Sequence, residues 1–585
     1  MSVILGLNAF HADAAACLLI DGKLVGAVAE ERLGERFKHS PEFPENAVRW
    51  LLSDNGLRLT DVTHVALPRD TRANRAAKMS YVAGNPVSGV RATLEHFKRR
   101  GKTASLADKL AAACGEDAAK LKLVHVPVEH HLAHVASAYY CSPFDELTAG
   151  FSYDASGDFA SAMAARCEGS TITPLDKVTL PHSLGFFYTA MCQFIGFDRF
   201  GEEYKVMGLA PYGEDRYADA MKQLVLLPDD GWFALGAGFF GMHQGGGSGH
   251  VGDNREIFVE TLFTEKMTQL LGPPRRRDDP LTQREMDIAR STQVRFEEAA
   301  LHCLTRLHKQ VPTTQFAMAG GCALNGVANA RILRETPFSD PYLQSASSDD
   351  GTSLGAAYHV WHAVEGRTER FHMEHAAWGP GYSDDRIRSV AEGSGFAVQA
   401  CADDAELCEV ASGLIAEGLV TGWYQGRSEW GPRALGNRSI LANPAILTMK
   451  DTINAKIKRR ESFRPFAPSV LRERVSTYFE QDVYSPFMMH VVKLKLEWRE
   501  RLPAITHVDG TGRLQSVDPA SNKLYHSLIT AFEKRTGIGM VLNTSFNENE
   551  PVVDTPEQAL ACFKRTEMDA LCLGRYILRK VRAAA

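Results

Sequence analysis

The chain has 585 residues, a net charge of −6, and 44% hydrophobic and 23% charged residues. At this length one core gives way to two domains. The charge argues against a nucleic-acid binder, no apolar run reaches the roughly 18 residues of a membrane span, and the opening MSVILGLNAFHAD has no basic region of a signal peptide. A cytoplasmic protein without nucleic-acid or membrane partners is expected. Eleven cysteines stand singly from Cys17 to Cys572, with no C-x-x-C pair, which argues against a disulfide framework and a zinc–thiolate site.

In chain order, apolar segments at residues 3–7 and 14–20 and a third at 23–30 predict three strands with a turn at Asp21-Gly22. Residues 128–140, VEHHLAHVASAYY, predict a helix carrying His130 and His134 four positions apart, on one face, where two imidazoles can grip one ion. A second strand-turn-strand unit follows at residues 147–165, turning at the D-x-x-G-D of FSYDASGDF. Each unit presents an Asp at its first turn, Asp13 and Asp154, which suggests a duplicated half-domain around a nucleotide cleft. That is the organisation of actin, sugar kinases and chaperone ATPases. Residues 347–357, SSDDGTSLGAA, read as a further loop able to close on an ion.

Between these lie GEEYKVMGLAPYG, a Gly- and Pro-bounded loop with Lys205 suited to phosphate, and MAGGCALN, a strand entering a Gly320-Gly321 turn before a helix. The run GMHQGGGSGHVGD reads as a surface loop whose His243 and His250 are weak metal candidates, and PPRRRDD as a charged turn. A domain boundary is placed at 365/366 in a charged, glycine-containing stretch. Beyond it, residues 422–470 hold nine Lys or Arg against three acidic residues, interleaved with glycine, proline and aromatics. That pattern builds a rigid anion pocket rather than a solvated helix face. Arg513 and VLNTSFN add another guanidinium and amide and hydroxyl donors.

Seven separated motifs, HHLAH, D-x-x-G-D, EYKVMGLAPYG, AGGCALN, GRSEWGPRALGNRSIL, FRPFAPS and LNTSFNENEP, resemble in order the NodU/CmcH-type O-carbamoyltransferases from about Gly6 to the C-terminus. The resemblance implies an α/β protein. Residues 1–365 would form a duplicated actin-like ATPase domain similar to Kae1, and residues 366–585 an α/β domain similar to YrdC. It further implies carbamoyl phosphate and ATP as reactants, carbamoyl adenylate as intermediate, and a small-molecule hydroxyl as acceptor, in natural-product biosynthesis.

By the same match His130, His134, Asp154 and Asp350 are the expected metal ligands, iron(II) in relatives, with Mg2+ accompanying ATP. Asp349 competes with Asp350, which is favoured because it directly precedes Gly351. His11 is expected to orient or deprotonate the acceptor hydroxyl, with Lys38 near the active site. Lys205, Gly208, Gly320, Gly321 and Asn325 would hold the adenylate. Arg433, Arg438, Lys458 and Arg513 would hold carbamoyl phosphate, with Asn543 and Ser545 at its carbamoyl end. The chain departs from many relatives in reading HADAAA, with Ala15 in place of a hydroxyl residue, and in lacking a basic residue after LNTSFN. Four other classes compete. Hydrogenase-maturation enzymes would carry paired C-x-x-C zinc fingers, and a zinc protease needs H-E-x-x-H where residue 131 is His. A threonylcarbamoyl-type tRNA-modifying enzyme would favour a basic surface, and an actin-like switch would leave the arginine-rich domain unexplained.

Overall fold

Alternate residues Val3, Leu5 and Leu7 are fully buried with Leu18, Val28, Leu51 and Leu59, as one face of a strand pressed on a core demands. They belong to β1 (Val3–Asn8) in the computed structural model, which describes residues 1–10, 12–34, 37–84, 106–244, 249–251, 257–461 and 463–580. The fold is α/β, and it divides into units Met1–Met373 and Glu374–Ala585. Among the described residues no helix is long and apolar enough to cross a membrane.

In the first unit, β1, β2 (Ala15–Ile20), β3 (Lys23–Ala29), β4 (His64–Leu67) and β5 (Val124–Pro127) form a sheet of order β3-β2-β1-β4-β5. The first three strands pair antiparallel, and β4 and β5 join in parallel. A second sheet contains β6 (Thr148–Gly157), β7 (Ala160–Glu168), β8 (Thr171–Thr179), β9 (Gln315–Ala319) and β10 (Asp340–Leu343), in the order β10-β9-β6-β7-β8. Its strands repeat the order and directions of the first. Each fifth strand leads into a helix, α1 (His130–Tyr139) after β5 and α2 (Asp349–His359) after β10. These equivalent helices pack against each other, and Gly355 makes the crossing possible, since a Cβ there would lie 1.8 Å from the Ala133 carbonyl oxygen.

Two expected loops are helical. Residues 347–357 enter α2, with Asp349 and Asp350 in its first turn; the small residues serve close helix packing instead of a flexible turn. Residues 201–213 contain the helix Tyr204–Leu209 and a short 3-10 turn, Ala210–Tyr212. Gly201, at φ +82°, and Pro211 punctuate this helical stretch rather than opening a loop.

The second unit is built on a nine-stranded mixed sheet. Its middle strands Arg438–Ala442, Met540–Ser545, Ala467–Leu471 and Thr511–Val517 are adjacent in that order. Cross-strand register places Ser439 beside Ser545, Ala467 beside Asn543, and Ser469 beside Gln515. Polar side chains from four strands therefore share one face.

Candidate metal centre and anion pocket

His130 and His134 stand one turn apart on α1, their Nε2 atoms 3.1 Å from each other. Asp154, from the end of β6, brings Oδ2 to 3.1 Å from His134 Nε2. Asp349 brings Oδ1 to 3.5 Å from His130 Nε2 and 3.4 Å from His134 Nε2. One ligand atom from each of the four residues lies within 4.8 Å of the others. The duplication makes the site: one copy supplies the histidine helix, and the other supplies both carboxylates. Asp154 Oδ2 is buried with the His134 imidazole at 3.1 Å, and a donor set of two imidazoles and two carboxylates fits a divalent cation.

Asp350 is not in this group, which corrects the sequence expectation. Consecutive helical residues project about 100° apart, and the face of α2 turned toward α1 takes Asp349. The Asp350 carboxyl is buried and accepts the Gly351 N–H at 3.0 Å. Burial, reinforced by Asp13, Glu31 and Asp349, pushes its pKa up to about 8. His130 behaves oppositely. Burial disfavours its charged form, but Asp349, Asp154 and Asp158 prevail and raise its pKa to about 9. His134 is also raised, Asp154 and Asp349 outweighing burial and the neighbouring His130 charge.

The Gly320-Gly321 turn follows β9 beside Asp154. A Cβ at Gly320, where φ is +102°, would lie 2.2 Å from the Tyr153 carbonyl oxygen, and one at Gly321 would lie 2.9 Å from Asp154 Oδ1. Asn325 caps the next helix, Gly326–Glu335, accepting the Ala328 N–H and exchanging hydrogen bonds with Gln293. Gly208 and Lys205 are buried in the helix Tyr204–Leu209. The Lys205 ammonium lies 2.8 Å from Glu202 Oε1 and over the Phe197 ring, so it is not the loop-borne charge expected. Lys38 is exposed in a turn, and His11 lies outside the described residues. Sequence reasoning overlooked His39, the residue after Lys38, whose Nδ1 is 2.7 Å from Asp13 Oδ1. Ser348, the residue before Asp349, donates to the other Asp13 oxygen at 3.3 Å. Burial lowers the His39 pKa, but Asp13 and Glu31 carry it up to about 9.

The basic stretch of the second unit separates into two groups. Arg433 and Arg513 have buried Nε atoms without hydrogen bonds. Burial and Arg464 push the Arg433 pKa down to about 10, and burial with Arg433, Arg460 and Arg464 pushes Arg513 well below its usual value. Guanidinium groups gathered in this way call for an anion, and a phosphate can satisfy them bidentately. Arg460 and Arg464 were legible only as part of the basic run KIKRRESFR.

Arg438 is different, and its assignment to the anion pocket is corrected. It is fully buried. Its guanidinium donates to the carbonyls of Gln425 (2.7 Å), Gly426 (3.1 Å), Asn437 (3.2 Å), Asp554 (3.2 Å) and Pro380 (3.4 Å). It also stacks 3.8 Å from the Tyr424 ring centroid. Lys458 likewise is buried, with Nζ donating to Ser545 O and Oγ and to Asn547 O and Oδ1. Its ammonium braces the end of the strand Met540–Ser545 against Asn547, just beyond it. Asn543 donates to Ala434 O and Ser469 Oγ, both at 3.0 Å, while its Oδ1 is buried without a partner.

The first unit of this α/β chain thus carries a His/Asp donor set, and the second a group of guanidinium side chains. Residues 3–358 match the family described as Carbamoyltransferase N-terminus and residues 412–580 that described as Carbamoyltransferase C-terminus. The protein is an enzyme of the carbamoyltransferase family, of the NodU/CmcH type. It is 38% identical to the uncharacterized protein sll1178 of Synechocystis sp., over 99% of this chain and 97% of that protein. To nodulation protein NolNO of Sinorhizobium fredii it is 35% identical, over 99% and 80%. To the 3'-hydroxymethylcephem-O-carbamoyltransferase of Amycolatopsis lactamdurans it is 34% identical, over 40% and 42%.

Proposed function

We propose that this enzyme carbamoylates a hydroxyl of a small molecule, a secondary metabolite or glycoside, using carbamoyl phosphate and ATP by way of carbamoyl adenylate. The observation carrying this reading is the pair of uncompensated arginines, Arg433 and Arg513, in a chain that also holds the His/Asp donor set and glycine turn in a duplicated unit. Two binding chemistries in one chain suit two half-reactions. In the second, YrdC-like unit, Arg433, Arg464 and Arg513 hold the phosphate of carbamoyl phosphate. The unpartnered Asn543 Oδ1 accepts a hydrogen bond from the carbamoyl NH2, and Lys458 keeps Ser545 and Asn547 in place. Hydrolysis gives carbamate and phosphate. Carbamate oxygen then attacks the ATP α-phosphorus, giving carbamoyl adenylate and releasing pyrophosphate.

In the first unit the Gly320-Gly321 turn and the helix capped by Asn325 receive the adenylate. The acceptor oxygen bonds to the carbamoyl carbon, its proton passes to a base for which His11 is the candidate, and AMP leaves. Lys38 lies near this step. A divalent ion held by His130, His134, Asp154 and Asp349, iron(II) by the family resemblance, supplies Lewis acidity toward a phosphate or carbonyl oxygen. The name of the cephem relative supports an alcohol as acceptor.

The test is to incubate metal-loaded protein with ATP, Mg2+ and carbamoyl phosphate and to measure carbamoyl adenylate and pyrophosphate by mass spectrometry. Carbamoyl-phosphate-dependent formation of both supports the reading. Survival of ATP and carbamoyl phosphate with folded, metal-replete protein, with and without a panel of hydroxyl acceptors, overturns it.

A further inference from the structure

The second acidic residue of D-x-x-G-D, Asp158, lies outside the donor set but holds its first histidine by the main chain. One carboxylate oxygen, Oδ2, accepts the His130 N–H at 3.1 Å and the Asp70 N–H at 2.7 Å. The first N–H groups of a helix have no partner within it, and here carboxylates supply them: Glu129 accepts the Leu132 N–H at 2.8 Å, and Asp158 takes that of His130. Between them they fix the rotation of the first turn, and with it the direction in which the His130 ring projects. Gly157, the preceding residue, cooperates, since a Cβ there would lie 1.9 Å from His130 Cδ2.

Two further features show that this corner is held in place. Asp158 and Phe159 are consecutive non-glycine residues in left-handed backbone, φ +49° and +76°, a conformation that persists only where the surroundings over-determine it. The Asp158 carbonyl also accepts Asn74 Nδ2 at 3.0 Å, so the segment Asp70–Asn74 and the start of α1 are tied to one residue.

We infer that Asp158 is a positioning residue for the metal centre: through the His130 main chain it sets the reach of the His130 imidazole toward Asp154 and Asp349. This rests on the reading of the His/Asp group as a metal site. Groups that orient a ligand typically alter metal affinity by about 10- to 100-fold when removed.

The test titrates Co2+ into full-length, metal-free Asp158→Gly and Asp158→Asn, following affinity and the visible cobalt spectrum. Glycine removes the carboxylate while accepting φ +49°; asparagine tolerates that conformation and keeps an oxygen for the two N–H groups. The expected result is a roughly 10- to 100-fold loss of Co2+ affinity with an altered spectrum in Asp158→Gly, and near-native values in Asp158→Asn. Unchanged affinity and spectrum in Asp158→Gly overturn the inference. Should Asp158→Gly not fold, equal loss of affinity in folded Asp158→Asn overturns it, and native affinity there supports it. If the wild-type protein binds no Co2+, the metal reading itself falls and takes this inference with it.

Discussion

Arg438 and Arg513 lie in stretches that look alike in sequence, yet their removal should have opposite consequences. Replacing Arg438 by Ala withdraws donors from five main-chain carbonyls at 2.7–3.4 Å. Three keep another donor: Asn437 O from Gln425 N–H, Pro380 O from Ser428 N–H, and Asp554 O from the Tyr424 hydroxyl. The carbonyls of Gln425 and Gly426 lose theirs, at about 1–3 kcal/mol each. The desolvated stacking on Tyr424 contributes about 2 kcal/mol more. Arg438→Ala should therefore destabilise the second unit by about 4–8 kcal/mol, comparable with the whole stability of many domains, about 5–15 kcal/mol. Arg513→Ala removes a half-buried cation, its Nε buried and unpaired, set among other arginines. It should leave the unfolding temperature unchanged or raised, and should weaken carbamoyl phosphate by about 1.5–3 kcal/mol, roughly 10- to 150-fold. Thermal unfolding and the carbamoyl-phosphate dependence of pyrophosphate release measure the two effects. A stable Arg438→Ala protein defective only in carbamoyl-phosphate use, or an Arg513→Ala protein that unfolds, would refute the division of labour.

Metal analysis of purified variants should find Asp349→Ala depleted of bound ion and Asp350→Asn near native occupancy, because an amide resembles the protonated carboxyl that a pKa of about 8 maintains at neutral pH; the reverse pattern restores Asp350 as the ligand. Gly157→Ala should displace the His130 ring, since no space exists for the added Cβ, and lower Co2+ affinity, which titration of the folded variant would check. For pH, the His130 pKa rises from 6.5 to about 9 on folding. Its pairing therefore stabilises the metal-free protein fully below about pH 6.5, and that contribution is lost as pH rises through about 9. Metal binding carries the opposite sign, because the imidazoles must shed protons: affinity should climb from pH 6.5 toward 9, and calorimetry finding it flat would contradict the protonated pair.

What the sequence by itself determined were features carried by local spacing. The two-residue period marked the strands, the four-residue period placed His130 and His134 on one helical face, and the D-x-x-G-D spacing marked the turn that follows the strand bearing Asp154. Only the tertiary structure chose between Asp349 and Asp350, because that choice depends on the phase of α2 against α1, and these helices come from distant copies of the repeat. It also separated Arg438 from Arg513. Both are arginines among small residues, but whether a guanidinium meets main-chain carbonyls or other guanidinium groups is fixed by which strands and loops the sheet places around it. Asp158 makes the same point: its carboxylate holds the histidine helix through a backbone N–H, which every residue but proline offers and no sequence motif records.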